Sequence, residues 1–165
     1  MISDVIWVVI FAVPPAGSLE EIFQLRDRLK VDVMYENRHN QAQALKQGDR
    51  VVVHYGGPRQ SSPLAQHLVR AGCVKEVARA ITPGDERTWG ELLSISRTMF
   101  PFRQITGIMF YEWFAPTAEV GPLLRPYSAP KRGANFIKLT PESPAYHQVD
   151  QWWHRVIPKG HCGQT

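Results

Sequence analysis

The segment Lys46-Gln47-Gly48-Asp49-Arg50 runs straight into Val51-Val52-Val53-His54-Tyr55 and stops at Gly56-Gly57. This run constrains the chain more than any other. A glycine followed by an aspartate supplies a backbone that reverses direction without strain. The three valines that follow are stiff at χ1 and pack well on a pleated surface, which predicts a strand over 51–55. A turn that feeds straight into a β-branched strand is an entry into a small β-barrel.

The rest of the chain supplies short strands and short helices in turn. The apolar run 2–13 predicts a first strand, ended by Pro14-Pro15. Ser18-Leu19-Glu20-Glu21 has capping-box spacing, and Ile22, Leu25 and Leu29 recur helically, so residues 19–30 read as an amphipathic helix with Arg26, Arg28 and Lys30 outward. Residues 32–39 read as a polar connection, and 40–46 as a short helix ending at Gly48. After a loop, Pro63 opens a helical turn to 69. A strand with one wet face covers 73–81 and breaks at Pro83-Gly84. Thr88-Trp89-Gly90-Glu91 is a second capping box, opening a helix to 96. A strand follows over 103–113. Pro116, Pro122, Pro126 and Pro130 make 115–133 an irregular loop. A last strand spans 136–139. Thr140-Pro141 caps a final helix whose Tyr146, Val149, Trp153 and Val156 share a face, and 158–165 is a flexible tail.

Interspersed short elements with irregular connections predict an α+β domain on a curved or barrel-like sheet, not a doubly wound one. The glycine-rich dinucleotide fingerprint is missing after the first strand. At 165 residues and 44% hydrophobic, the chain reads as one domain over 1–157 with a core of its own. The longest apolar run, 5–13, is too short to cross a bilayer and lacks the flanks of a secretory signal. Two cysteines, Cys73 and Cys162, do not make a disulfide framework, so Cys73 reads as a small core residue and the setting as reducing and cytoplasmic, with no membrane partner.

Catalytic signatures are missing. No Walker loop, G-x-S-x-G elbow or H-E-x-x-H occurs. His161-Cys162 alone is too small a donor set for zinc, and Glu20-Glu21 sits where carboxylates complement a helix dipole. No enzyme activity, cofactor or metal is expected. What remains is a net charge of +4, which suits phosphate, together with aromatics spread across strands and loops. Tyr35 stands beside Asn37 and Arg38, Tyr55 follows His54, and Trp113 follows Glu112. An aromatic face next to hydrogen-bond donors is what a base pocket requires.

Several segments, in order, resemble the EVE domain, a branch of the PUA-like superfamily related to the YTH domain. They are Ile6-Trp7-Val8-Val9, Glu36-Asn37-Arg38-His39-Asn40, the run Lys46 to Tyr55, Val74-Lys75-Glu76-Val77-Ala78, Phe100-Pro101-Phe102-Arg103, and Asn135-Phe136-Ile137-Lys138-Leu139-Thr140-Pro141-Glu142. The resemblance implies a PUA-like pseudo-β-barrel of five to six strands flanked by short helices. It also implies a nucleic-acid-binding module that takes one flipped base, methylated or otherwise modified, into an aromatic pocket. Asn40 matches a family asparagine near the pocket, and Trp7 matches the first-strand tryptophan. The chain departs from the family near 32–34, where a cage tryptophan is usual and Tyr35 is the nearest aromatic.

The expected pocket comprises Tyr35, Asn37, Asn40, His54, Tyr55 and Trp113, with Arg38, Arg59, Lys131 and Arg132 on phosphate, from DNA or RNA. The alternatives are an enzyme acting on a nucleotide or small ligand on such a barrel, and a protein-interaction module with exposed aromatics.

Overall fold

The computed structural model describes residues 4–12, 28, 31–35, 39–56, 68–99, 104–110, 119–128 and 136–157. In chain order the elements are β1 (Ile6–Ala12), β2 (Val31–Tyr35), α1 (His39–Ala42), β3 (Arg50–Gly56) and β4 (Leu68–Ala80). A 3-10 turn (Pro83–Asp85) then leads into α2 (Glu86–Met99), followed by β5 (Ile105–Phe110), α3 (Gly121–Ser128), β6 (Phe136–Leu139) and α4 (Tyr146–Val156). The described strands form one six-stranded sheet in the order β2-β5-β4-β3-β1-β6. β1 and β3 are parallel, and the other pairs are antiparallel.

β4 serves both halves of this sheet. Its first part, to Cys73, pairs with β3, and its second part, from Val74, pairs with β5. The register slips between Val74 and Glu76 and again between Glu76 and Arg79. Each slip adds twist and bend, so the sheet curls. Residues from both halves then meet inside: Val9, Val51, Val53 and Val74 from one, Met34, Ala78 and Ile108 from the other, closed by Ala42 and Leu45 at α1.

The outer faces are covered separately. Ile6, Val8, Ile10, Val52, Ala71 and Cys73 pack against Leu124 of α3 and Val149, Trp152 and Trp153 of α4. Val31, Val33 and Ile105 pack against Trp89, Leu92 and Leu93 of α2. The valine triplet therefore has Val51 and Val53 inside and Val52 outside, all buried.

A buried ion pair anchors α4. Arg50 is 1% exposed. Its guanidinium donates to Asp150 Oδ1 at 2.6 Å and to the Tyr146 hydroxyl at 3.2 Å, and it lies 5.7 Å from the Trp153 ring centroid. His154 Nε2 approaches the same carboxylate oxygen at 3.3 Å. The Tyr127 hydroxyl of α3 donates to the Pro144 carbonyl, fixing the turn that precedes α4.

Five expectations are corrected. Residues 31–35 are a strand, not part of a polar connection, because Val31 and Val33 find an apolar layer in α2 while Met34 turns to the interior. The proline-rich stretch contains α3, since Val120 and Leu124 stack one helical turn apart on the core. The cap of α2 is not at Thr88: Asp85 Oδ2 accepts from the Thr82 backbone N–H at 2.7 Å, and Trp89 lies inside the helix, buried. Thr140 closes a turn with Ser143, its N–H donating to Ser143 Oγ at 3.0 Å, and α4 begins only after Ala145, which is left-handed at φ 68°. Cys73 is buried as expected, but it is disulfide-bonded, not free. The expected helix 19–30, apart from Arg28, and the tail 158–165 lie outside the described residues.

Gly107 lies in register between Val33 and Arg79, under the α2 layer. A Cβ there would come within 2.5 Å of both Trp89 Cη2 and Ile81 Cδ1. Gly107→Ala is expected to lower stability by about 1–3 kcal/mol through overpacking, measured by urea denaturation.

Arg79 binds the Asp85 carboxylate through two bonds of 2.9 Å each, and this, with the Thr82 N–H, holds the Asp85 pKa well below the usual carboxylate range. A lowered folded-state pKa adds stability in full above the unfolded value of about 4 and loses it as pH falls below. The stability gap between the native chain and Asp85→Asn should therefore narrow from pH 7 to pH 3 in denaturant titrations, and a constant gap would contradict the assignment.

Candidate nucleic-acid interface

The Gly-Asp turn is held from three sides. Gly48 adopts φ +87°, where other residues strain. Its N–H donates to the Val74 carbonyl at 2.8 Å, and the Val74 N–H returns to the Asp49 carbonyl at 2.9 Å. The Asp49 carboxylate Oδ2 accepts the Lys46 N–H at 2.9 Å and the Trp7 indole N–H at 3.0 Å. Trp7 is thus tethered, half-buried against the interior cluster. Its hydrogen bond ties β1 to the turn.

Two lysines at this lock are exposed. Lys138 of β6 is the register partner of Trp7 and is exposed, and Lys46 at the turn is exposed too. Gln41 Oε1 of α1 accepts the Phe136 N–H at 3.2 Å, tying the start of β6 to the helix. The side of the sheet that carries α1 therefore presents cations flanking a rigid aromatic. This arrangement fits a phosphate backbone.

Of the expected pocket, Tyr35 ends β2 opposite Ile105, and Asn40 is exposed on α1 five positions later. These two stand at the entrance and exit of one short connection. His54 is elsewhere: it pairs with Ile10 and Leu68 and has no exposed surface. Tyr55 is its neighbour in β3, opposite Phe11. Strand β4 measures the separation. The His54 rung is at Leu68, one end of β4, whereas the Tyr35 rung reaches Ile81, whose N–H donates to the Ile105 carbonyl, just past the other end. The sheet thus brings Tyr35 and Asn40 into one region and His54 and Tyr55 into another. Asn37, Arg38, Arg59, Trp113, Lys131 and Arg132 lie outside the described residues.

Sequence reasoning missed Arg70. It is 3% exposed and stands opposite Val53, on the interior side of the sheet. The stretch Val69-Arg70-Ala71 carried no alternation that would flag a buried charge. Lys46 and Lys138 were inside recognised motifs but were not read as a surface. Among the described residues no cluster of His, Cys, Asp and Glu could hold a metal ion, and no helix is long and apolar enough to cross a membrane.

No family model matches the sequence, and no curated protein matches it either. Solved structures do. The N-terminal domain of Staphylothermus marinus McrB superposes with a TM-score of 0.54 over 92% of this chain and 95% of that one, at 9% sequence identity. The chain shares the α+β fold of that domain. A hypothetical protein from Leishmania major aligns at a TM-score of 0.48 and 13% identity, covering 91% of this chain and 96% of its own. At 9% identity the likeness to the McrB domain concerns the fold.

The tethering of Trp7 gives a test of its role. Trp7→Phe removes one charge-assisted hydrogen bond to a partly buried carboxylate and should cost about 1–2 kcal/mol of stability. Oligonucleotide affinity should stay within twofold of the native value. A large loss of affinity with intact stability, by titration and urea denaturation, would make Trp7 a contact residue instead.

Proposed function

We propose that this chain is a non-catalytic nucleic-acid-binding module that accepts a single flipped base, with modified bases as the preferred guests. The observation that carries the reading is the six-stranded PUA-like barrel, shared with the N-terminal domain of McrB, in which the end of β2 and the exposed Asn40 of α1 bracket one connection. This is the place where the EVE resemblance puts its pocket asparagine. Tyr35 supplies the stacking face, and Asn37 and Asn40 supply edge hydrogen bonds. Arg38 is assigned to phosphate, as are the exposed Lys46 and Lys138. Extruding a base costs a few kcal/mol, which stacking and edge hydrogen bonds offset. A methyl group adds apolar contact inside an aromatic site. Arg59, Lys131 and Arg132 are assigned to further phosphates, and Trp113 to the pocket. His54 is assigned to the core and Tyr55 to the far end of β4, outside the pocket.

The test is a titration panel of plain, methylated and hydroxymethylated oligonucleotides at two salt concentrations. Binding should weaken steeply with salt. Tyr35→Ala should cost about 1–3 kcal/mol on the preferred oligonucleotide, with Tyr55→Ala near neutral. Equal loss from both variants, or a flat salt response, would overturn the assignment.

A further inference from the structure

Strand β6 pairs with β1, and one face of that pair carries an aromatic patch. Lys138 lies opposite Trp7, and Phe136 lies opposite Val9. Opposed residues, and residues two apart along a strand, share a face. Trp7, Phe136 and Lys138 therefore stand on one side of the sheet, that of the interior cluster. Trp7 and Phe136 both pack against this cluster and both keep part of their surface in solvent, while Lys138 is exposed. Phe136 is the diagonal neighbour of Trp7, a spacing that aromatic side chains bridge. The indole is itself fixed by its bond to Asp49 Oδ2, and the same oxygen accepts the Lys46 N–H. The carboxylate beside the rings is thus engaged, and two exposed lysines, Lys46 and Lys138, flank them.

A hydrogen bond ties this patch to the proposed pocket. The Phe136 N–H donates to Gln41 Oε1 at 3.2 Å, and Gln41 directly follows Asn40, the exposed residue assigned above to a base edge. The start of β6 is therefore held one residue away from that edge contact. A strand that places one base at Asn40 brings its next nucleotide to Phe136.

We propose that Phe136 is a second base platform, on which the nucleotide flanking the flipped base stacks, so that the ligand is a strand with two neighbouring unpaired bases. The inference rests on the base-binding reading and names the class of nucleic acid that this site takes. A base lies on Phe136 only after leaving its own stack and its pairing partner. The chain therefore prefers single-stranded or locally opened nucleic acid to intact duplex. Every base has a π-face, so the platform selects for strandedness and not for sequence. Lys138, on the same face two residues along β6, neutralises the phosphate of the stacked nucleotide. Trp7 is a positioning residue behind the platform, a task that a phenylalanine in its place also performs.

The experiment uses the full chain and one probe set: a single strand carrying one methylated base, the same strand with an abasic residue on either side of that base, and the same sequence as a duplex. The native chain should bind the single strand about tenfold tighter than the duplex, and should lose about tenfold when the base on one flank is removed. Phe136→Leu keeps an apolar side chain on the interior cluster, and urea denaturation checks that it folds. It should lose about tenfold on the complete strand and nothing further on the abasic one. Phe136→Trp should bind as the native chain does. Lys138→Gln should keep the flank effect and lower the slope of log affinity against log salt by about 0.7. A native chain indifferent to both abasic strands, a preference for duplex, or a flank effect undiminished in Phe136→Leu would overturn the proposal. Tyr35→Ala reports on the flipped base separately, since it should weaken complete and abasic strands alike. Loss there with none at Phe136 removes the platform and leaves the pocket, whereas no binding of any probe removes both.

Discussion

One long strand has to serve both halves of the sheet at once. β4 pairs with β3 through its first half and with β5 through its second, and two register slips let it turn the corner. Without that bend, Val51, Val53 and Val74 could not share an interior with Met34, Ala78 and Ile108. The bend also splits the outside into two faces, one for α3 and α4 and one for α2. Gly107 belongs to the same geometry. The Trp89 ring lies where its Cβ would be, so the sheet and α2 approach more closely than any side chain there would permit.

The start of β3 concentrates the chain's polar fastenings. Asp49 holds its own turn and Trp7, and Arg50, the next residue, reaches into the opposite layer to hold α4. Burying a guanidinium is costly unless it is paired and hydrogen-bonded. Here a carboxylate, a hydroxyl and an aromatic face share that task. Such a pairing specifies where α4 docks more than it adds net stability. Two adjacent residues thus orient β1 on one side of the sheet and α4 on the other.

The functional reading follows from this division. The α4 side is closed by core and by the ion pair, with the disulfide-bonded Cys73 buried in that core. The α1 side keeps an exposed asparagine, exposed lysines and a tethered tryptophan at its surface. The likeness to the McrB N-terminal domain concerns the fold. The proposed pocket therefore rests on the local chemistry of the connection between β2 and α1, together with the sequence resemblance.

Local rules made much of this legible. β-branched runs marked β1 and β3, the Gly-Asp pair marked the turn at φ +87°, and helical spacing marked the buried face of α4. These signals depend on neighbours within a few residues. The strand at 31–35, the helix among prolines at 121–128, the burial of Arg50 and Arg70, and the bonding of Cys73 were not legible, because each depends on a partner far along the chain. Separating Tyr35 from Tyr55 is the clearest case. Both read as pocket aromatics in sequence, yet register along β4 places them at opposite ends. Residue types and short-range spacing determined which segments would be strands, turns and helices. Only the tertiary structure decided which of them meet, because pairing register and the bend of β4 arise from contacts that no local window contains.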